Sequence, residues 1–193
     1  EWFVDFKYPG YQNDKLVDSE LGMIPEGWET YPFDELISYS IGGDWGKGED
    51  DKNFNEPVVV IRGTDFKDLK SGSLVRSPIR FIKKPSLIKR QLQVGDIIVE
   101  NSVNAKSRCI GSTLLITDEI LKRLGNNAIC ASFCKLYRPY NRKLSTLTHL
   151  HMKNLYDTGR MHFYNNIATN GIGNFQSTRF LEMESLFLPK DKD

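Results

Sequence analysis

Short β-branched runs, each closed by glycine or proline, recur along this chain and limit its architecture more than any other property. Pro57-Val58-Val59-Val60-Ile61 ends before Gly63, Ile79 to Ile82 lies between Pro78 and Pro85, and Gly95-Asp96 leads into Ile97-Ile98-Val99. Runs of this length and residue type read as buried strands. Gly111 to Thr117, Ala128 to Tyr137 and Met183 to Leu188 extend the set, the last two running to Pro139 and Pro189. Helical signals fall between them. Phe33 to Ile37 predicts a short helix and Ser86 to Leu92 a helical turn. Asp118 is placed to cap a helix through Leu124, closed by Gly125-Asn126. Leu144, Leu147, Leu150 and Leu155 recur at near-helical spacing and predict a helix over 143–157, stopped by Gly159. A second helix is expected through Met161, Tyr164, Ile167 and Ala168, ending at Gly171. Strands and helices alternate irregularly, without βαβ units. The fold class is therefore α+β: a single domain with a mixed or antiparallel β core, short helices and a helical C-terminal part. Residues 7–32, broken by Pro9-Gly10, Gly22, Pro25, Gly27 and Pro32, read as a linker.

At 193 residues the chain is long enough for one domain with a sizeable core. Its 39% hydrophobic and 26% charged residues fit a soluble globular protein rather than a disordered tail. No apolar run approaches the roughly 18 residues needed to span a bilayer, so no membrane role is expected. Glu1-Trp2-Phe3-Val4-Asp5 has neither the basic start nor the apolar stretch of a signal peptide, and the missing initiator Met suggests a fragment or a processed product. Three cysteines, with Cys130 and Cys134 inside an apolar run, argue against a disulfide scaffold and for a reducing cytoplasm.

The formal net charge of +1 hides an asymmetry: residues 1–61 carry 14 acidic and 4 basic side chains, and residues 62–108 carry 11 basic and 4 acidic. A basic middle in a neutral chain suggests a face that attracts a polyanion, set against the plainer reading of a solvated surface.

Tests for catalysis return little. The loop Gly42-Gly43-Asp44-Trp45-Gly46-Lys47-Gly48 has neither the glycine spacing of a nucleotide P-loop nor the Ser or Thr after the lysine; it reads as a tight turn presenting Trp45 and Lys47. No strand–Gly-x-Gly-x-x-Gly–helix unit offers a dinucleotide site. His149 and His151, two apart on a helix, point to different faces. Cys130 and Cys134 on one strand would lie roughly 13 Å apart, too far for a shared tetrahedral metal. Asp96, Glu100 and Lys106 are the closest approach to a magnesium-dependent nuclease group, but their spacing is poor, and Asp96 after Gly95 reads more simply as a turn residue. No nucleophile–base pair is visible, and no cofactor is expected.

Specific strings then carry a resemblance. Trp2-Phe3-Val4-Asp5-Phe6, followed by Ser19-Glu20-Leu21-Gly22-Met23-Ile24-Pro25-Glu26-Gly27-Trp28, is similar to the specificity subunits of type I restriction–modification systems. So are Gly42 to Lys47, Val60-Ile61-Arg62-Gly63-Thr64-Asp65, Gly95-Asp96-Ile97-Ile98, Gly171-Ile172-Gly173-Asn174-Phe175 and Leu186-Phe187-Leu188-Pro189, all in family order. The resemblance implies a non-catalytic target recognition domain that reads one half of a split duplex-DNA site. It implies residues 1–30 as the tail of a preceding helical region and 31–190 as the recognition domain. Its implied partners are double-stranded DNA, two modification (methyltransferase) subunits and through them the restriction subunit, and a second recognition domain of the same subunit.

The residues suit that role. Lys83, Lys84, Lys89 and Arg90 are candidates for phosphate contacts, which supply affinity and position. Arg62, Arg76, Arg80, Asn101, Asn104 and Arg108 have the planar, multi-donor chemistry that reads base edges. Lys47, Lys67, Lys70 and Lys106 complete the set. The alternative for each is an ordinary surface charge, or an arginine paired with an acid such as Asp65 or Asp68. Two other functions stay open: the nuclease of Asp96, Glu100 and Lys106, and a protein-interaction module of the same complex.

Overall fold

A computed structural model describes the chain apart from residues 1–4, 6, 8–10, 20–21, 74–75, 105–109, 126, 168–171 and 191–193. Lys106, Arg108, most of the Trp2–Phe6 string, Glu20-Leu21, Asn126, Ala168 and Gly171 therefore lie outside the described residues, as does the side chain of Asn104.

The centre is a four-stranded antiparallel sheet. It comprises β4 (Ile37–Gly42), β7 (Ile97–Glu100), β9 (Thr113–Leu115) and β11 (Cys134–Pro139), in the order β4-β11-β7-β9. All four residues of β7 are buried, because both faces of this sheet are covered. Ile97 and Val99 point into one apolar cluster with Phe33, Met152, Leu155 and Phe180, while Ile98 points into a second with Ile61, Leu114 and Leu136. The period-2 alternation of a strand thus divides the interior into two cores.

A three-stranded sheet packs beside it. Here β5 (Glu56–Ile61) lies between β6 (Ile79–Ile82), antiparallel to it, and β10 (Ala128–Cys130), which is parallel to it. Val58 and Val60 join Ile82, Leu87 and Ile129 in a third small cluster, and α3 (Lys84–Arg90) covers it through Leu87. The 3-10 turn Gly63–Asp65 and α2 (Phe66–Ser71) follow β5, and α4 (Asp118–Leu124) follows β9.

The last third builds the far side of the central sheet. It runs through α5 (Ser145–Asp157), a 3-10 segment Arg160–Tyr164, β12 (Asn165–Ile167), β13 (Ile172–Phe175), α6 (Ser177–Met183) and β14 (Ser185–Pro189). Two early strands, β1 (Leu16–Ser19) and β2 (Gly22–Pro25), pair as an antiparallel ribbon, and β3 (Trp28–Pro32) pairs antiparallel with β14. The short α1 (Phe33–Leu36) links β3 to β4, and β8 (Ser102–Asn104) pairs with β13.

Several elements differ from expectation. Part of the supposed linker is β1 to β3, with Pro25 and Pro32 at the ends of β2 and β3. The run 128–137 is two strands in different sheets, broken where the Cys134 N–H donates back to the Ala131 carbonyl at 2.8 Å. Gly111 to Thr117 shortens to β9, and Thr117, not Asp118, caps α4: its hydroxyl accepts from the Ile120 N–H at 3.2 Å. The second C-terminal helix is a 3-10 segment and β12 instead, and α6 stands where no helix was expected.

Candidate nucleic-acid interface

The glycine-rich loop 42–48 is fixed from several sides. The Gly43 N–H donates to the Cys134 carbonyl at 2.9 Å and the Asp44 N–H to the Cys130 carbonyl at 3.0 Å. A Cβ on Gly43 would overlap the carbonyl oxygens of Ala131 and Cys130, so only glycine fits. Burial would raise the pKa of Asp44, but the Ser86 hydroxyl and the N–H groups of Gly46 and Trp45 outweigh it and hold the carboxyl below its ordinary range. Lys47 exchanges two backbone hydrogen bonds with Phe81, stitching the loop to β6.

The arginines of the basic middle are tied into this frame. Arg90 donates to the Gly42 carbonyl at 2.9 Å and to the Ser86 hydroxyl at 3.0 Å. Arg80 donates to the Trp45 carbonyl at 3.1 Å and lies over the Trp45 ring, 4.9 Å from its centroid. Arg62 grips Asp65 through two nitrogens, at 3.1 and 2.8 Å, and donates to the Arg76 carbonyl. Burial works to raise the Asp65 pKa, but those bonds, the Arg62 N–H and the Ser77 hydroxyl win and hold it low. The pairing of Arg62 with Asp65 is the one weighed from sequence.

These ties bring part of the candidate set together. Lys47 and Lys83 both face the Phe54 ring, 4.5 and 5.1 Å from its centroid, beside the Arg80–Trp45 stack. Lys84 and Lys89 are exposed on α3, whose last turn is held to β4 by the Tyr39 hydroxyl donating to the Lys89 carbonyl at 3.1 Å. Lys70 is placed apart, lining a separate hollow with His149 and Lys153, and Lys67 is exposed on α2. Arg76 is exposed. Asn101 is half-buried, its N–H donating to the Phe133 carbonyl at 2.8 Å.

Next to the Trp45–Arg80 stack lies a recess of about 440 Å³, lined among others by Trp45, Arg62, Thr64, Glu100, Ser102 and Phe133. It joins both motif loops to the end of β7 and to the turn between β10 and β11. Gly63 permits the closeness, because a Cβ there would overlap the Glu100 carboxylate. Trp45 is 38% exposed and Phe133 67% exposed; the core position that is the default for a tryptophan is not the one Trp45 takes. Phe133 was missed in the sequence, and nothing local marks it, whereas Ser102 belongs to the polar stretch 101–108 that holds the candidates Asn101 and Asn104.

The nuclease group does not assemble. The Asp96 carboxylate is buried and paired with Arg138 at 2.7 and 2.8 Å, whereas Glu100 lines the recess at the other end of β7. Among the described residues no three His, Cys, Asp or Glu side chains converge as metal ligands. Cys130 and Cys134 are buried free thiols, and burial pushes the Cys130 pKa up to about 12. The two histidines of α5 do diverge: His151 meets Glu184 at 2.8 Å, and His149 faces the Lys70 hollow. Among the described residues no helix is long and apolar enough to cross a membrane.

No protein-family model matches the sequence, and no curated protein matches it. Among the solved chains similar to it are two restriction–modification subunits. One is the S subunit of a type I restriction–modification system from M. genitalium, 12% identical with a TM-score of 0.48 over 86% of this chain. The other is the HsdS subunit from Thermoanaerobacter tengcongensis, 15% identical with a TM-score of 0.44 over 90% of this chain. The chain spans 35% and 36% of those two chains, about a third of either.

Proposed function

We propose that this chain is a non-catalytic domain that reads one half of a split duplex-DNA site within a type I restriction–modification complex in the cytoplasm. The observation that carries the reading is the meeting of two sequence-distant strings, Gly42–Lys47 and Val60–Asp65, at one recess beside Lys47, Arg80 and Lys83. Cations interleaved with aromatic rings suit a polyanion whose bases present flat faces. In this reading residues 31–190 form the recognition domain and 1–30 the tail of a preceding region. The pairing of β3 with β14 spans that boundary. The partners are duplex DNA, the modification subunits and through them the restriction subunit, and a second recognition domain; no cofactor is needed.

Selection from a randomised duplex library by the folded chain tests the reading. A short enriched motif is expected, and a library that stays random overturns it. Lys83, Lys84 and Lys89 are assigned to phosphates, so replacing each with Ala weakens all sequences alike and flattens the salt dependence by about 0.9 per lost contact. Arg90 is a poorer probe of phosphate binding, because its loss would also free the Gly42 carbonyl.

Attachment to the rest of the complex is supported by a second place. A hollow of about 1180 Å³ lies between the β3–β14 pair and α5, lined in part by Trp28, Phe163, Met183 and Leu186. Phe163 and Met183 are each 55% exposed there.

A further inference from the structure

We infer that a hollow at the start of α5 holds a phosphate group, gripped by the Arg142 guanidinium and the Ser145 hydroxyl. The hollow, about 360 Å³, lies where the Gly95-Asp96 turn, the end of β11 and the first residue of α5 meet, and it shares no lining residue with the recess. Gly95, Asp96, Arg138, Tyr140, Arg142 and Ser145 are among the residues that line it. Ser145 is 2% exposed, and its hydroxyl has no hydrogen-bond partner among the described residues. A buried hydroxyl without a partner is costly, so this one calls for an acceptor that the chain itself does not supply. Gly95 keeps the space beside it clear. A Cβ there would stand 3.0 Å from Ser145 Oγ and 3.1 Å from Arg142 Cγ, and the φ of +96° disfavours a side chain on a second ground. The turn is fixed as well, the Gly95 N–H donating to the Ile116 carbonyl and the Ile116 N–H to the Asp96 carbonyl, both at 2.8 Å.

The balance of charge selects an anion. Both Asp96 oxygens are taken: Arg138 donates to each, at 2.7 and 2.8 Å, and the Gln93 N–H adds a bond at 2.7 Å. Arg142 is the charge left over, exposed and forming no ion pair among the described residues. Ser145 opens α5, so the positive end of a helix of 13 residues adds to the same sign. The Asn141 side chain already accepts from the Lys143 N–H at 2.9 Å, and the grip on the anion therefore falls to side chains. A guanidinium fork takes two oxygens at once. A carboxylate would then have no oxygen of its own left for Ser145, whereas a phosphate has. Free phosphate and the backbone of DNA both offer such a group, and the two sources are separated by experiment.

The test titrates the full chain and its R142A and S145A variants with inorganic phosphate, following thermal unfolding, with acetate at equal ionic strength as the control. Phosphate should raise the unfolding temperature of the parent saturably and acetate should not, and each variant should need about tenfold more phosphate for the same shift. S145A removes a hydroxyl that bonds nothing in the chain, so without phosphate its unfolding temperature should not fall, whereas a merely structural serine would lower it. No saturable shift in the parent, equal shifts in parent and variants, or acetate as effective as phosphate overturns the inference. Where phosphate binds and the variants weaken it, a salt series with duplex DNA names the source. A slope reduced by about 0.9 in R142A assigns the phosphate to DNA, and an unchanged slope assigns it to free phosphate. A parent that selects no DNA motif overturns the function proposed above and leaves the phosphate titration to decide this site alone. If S145A fails to fold by circular dichroism, R142A, at an exposed site, decides.

Discussion

On the recess side of the molecule the small cluster under β5 and β6 holds six buried residues among those described, whereas the cluster under α5 holds sixteen. The first side is positioned by polar groups aimed at backbone: Arg80, Arg90 and Asp44 on the glycine loop, Arg62 and Asp65 on the turn after β5. The second is positioned by packing, with Phe180 against Phe33, Tyr164 and Phe175 at 4.8 to 5.2 Å between ring centroids. Backbone-directed bonds hold a surface loop in one geometry without much core. Packing holds bulk but tolerates exchange of side chains. The recess is held by the former, and the body behind it by the latter.

The largest expected effect falls where the two sides join. Arg138 on β11 neutralises Asp96, which is 1% exposed and also accepts from the Gln93 N–H at 2.7 Å. Arg138→Met leaves a buried carboxylate unpaired, at an expected cost of about 4 kcal/mol in urea denaturation. A loss below about 1 kcal/mol would mean that the ion pair is ornamental and that packing alone holds the centre.

Gly43→Ala comes next, at about 3 kcal/mol, because the added methyl meets the backbone carbonyl oxygens of Cys130 and Ala131. Gly63→Ala, whose methyl meets only the Glu100 side chain, should cost less than half as much in the same urea denaturation. Equal losses at the two glycines would show that a side chain yields no more than backbone there, and would weaken the contrast drawn above.

The same contrast decides what could be read from sequence. Gly43 and Gly63 were legible because close approach admits one residue type, and a string of such positions stands out. β5, β6 and β7 were legible from β-branched runs, and α5 from its leucines. The break at 131–133 was not: Ala131-Ser132-Phe133 contains no glycine or proline, and the partner of each half is chosen by distant strands. β1 to β3 hid behind prolines that sit at strand ends, and α6, seven residues long, shows too little period. The partners of Arg62, Arg80 and Arg90 are mixed in the same way. Asp65 is three residues from Arg62 and could be guessed, but the carbonyls of Gly42 and Trp45 lie 48 and 35 positions from their arginines.

His149 gives a smaller and pH-dependent effect on the packed side. Burial first, and then the charge of Lys70 with a lesser part from Lys153, pushes its pKa down to about 4. Glu119 of α4 lines the same hollow. Between about pH 6.5 and pH 4 the unfolded chain holds a proton on this ring that the folded chain does not. Stability is therefore full above pH 6.5 and falls as the pH drops through this window, by about 2 kcal/mol after allowing for the partial exposure of the ring. His149→Gln should flatten that part of the profile. An unchanged slope would assign the acid sensitivity elsewhere, with Glu184 the next group to test. Burial works to raise the Glu184 pKa, but hydrogen bonds from His151 and Tyr164 overcome it, so its own contribution is lost only at lower pH.

The smallest effect is the sharpest test of the comparison. Phe180 is fully buried among three aromatic rings, yet its surroundings are side chains rather than fixed backbone. Methionine has similar volume and a sulfur that suits aromatic neighbours, so Phe180→Met should cost only about 1.5 kcal/mol, mostly lost ring–ring geometry. The large core residue is thus expected to tolerate replacement better than Gly43, set against fixed backbone, tolerates one methyl group. Denaturation midpoints of the two variants, measured side by side, settle the order. A Phe180→Met loss larger than that of Gly43→Ala would reverse it, and the packed side would then be the more exacting half of the molecule.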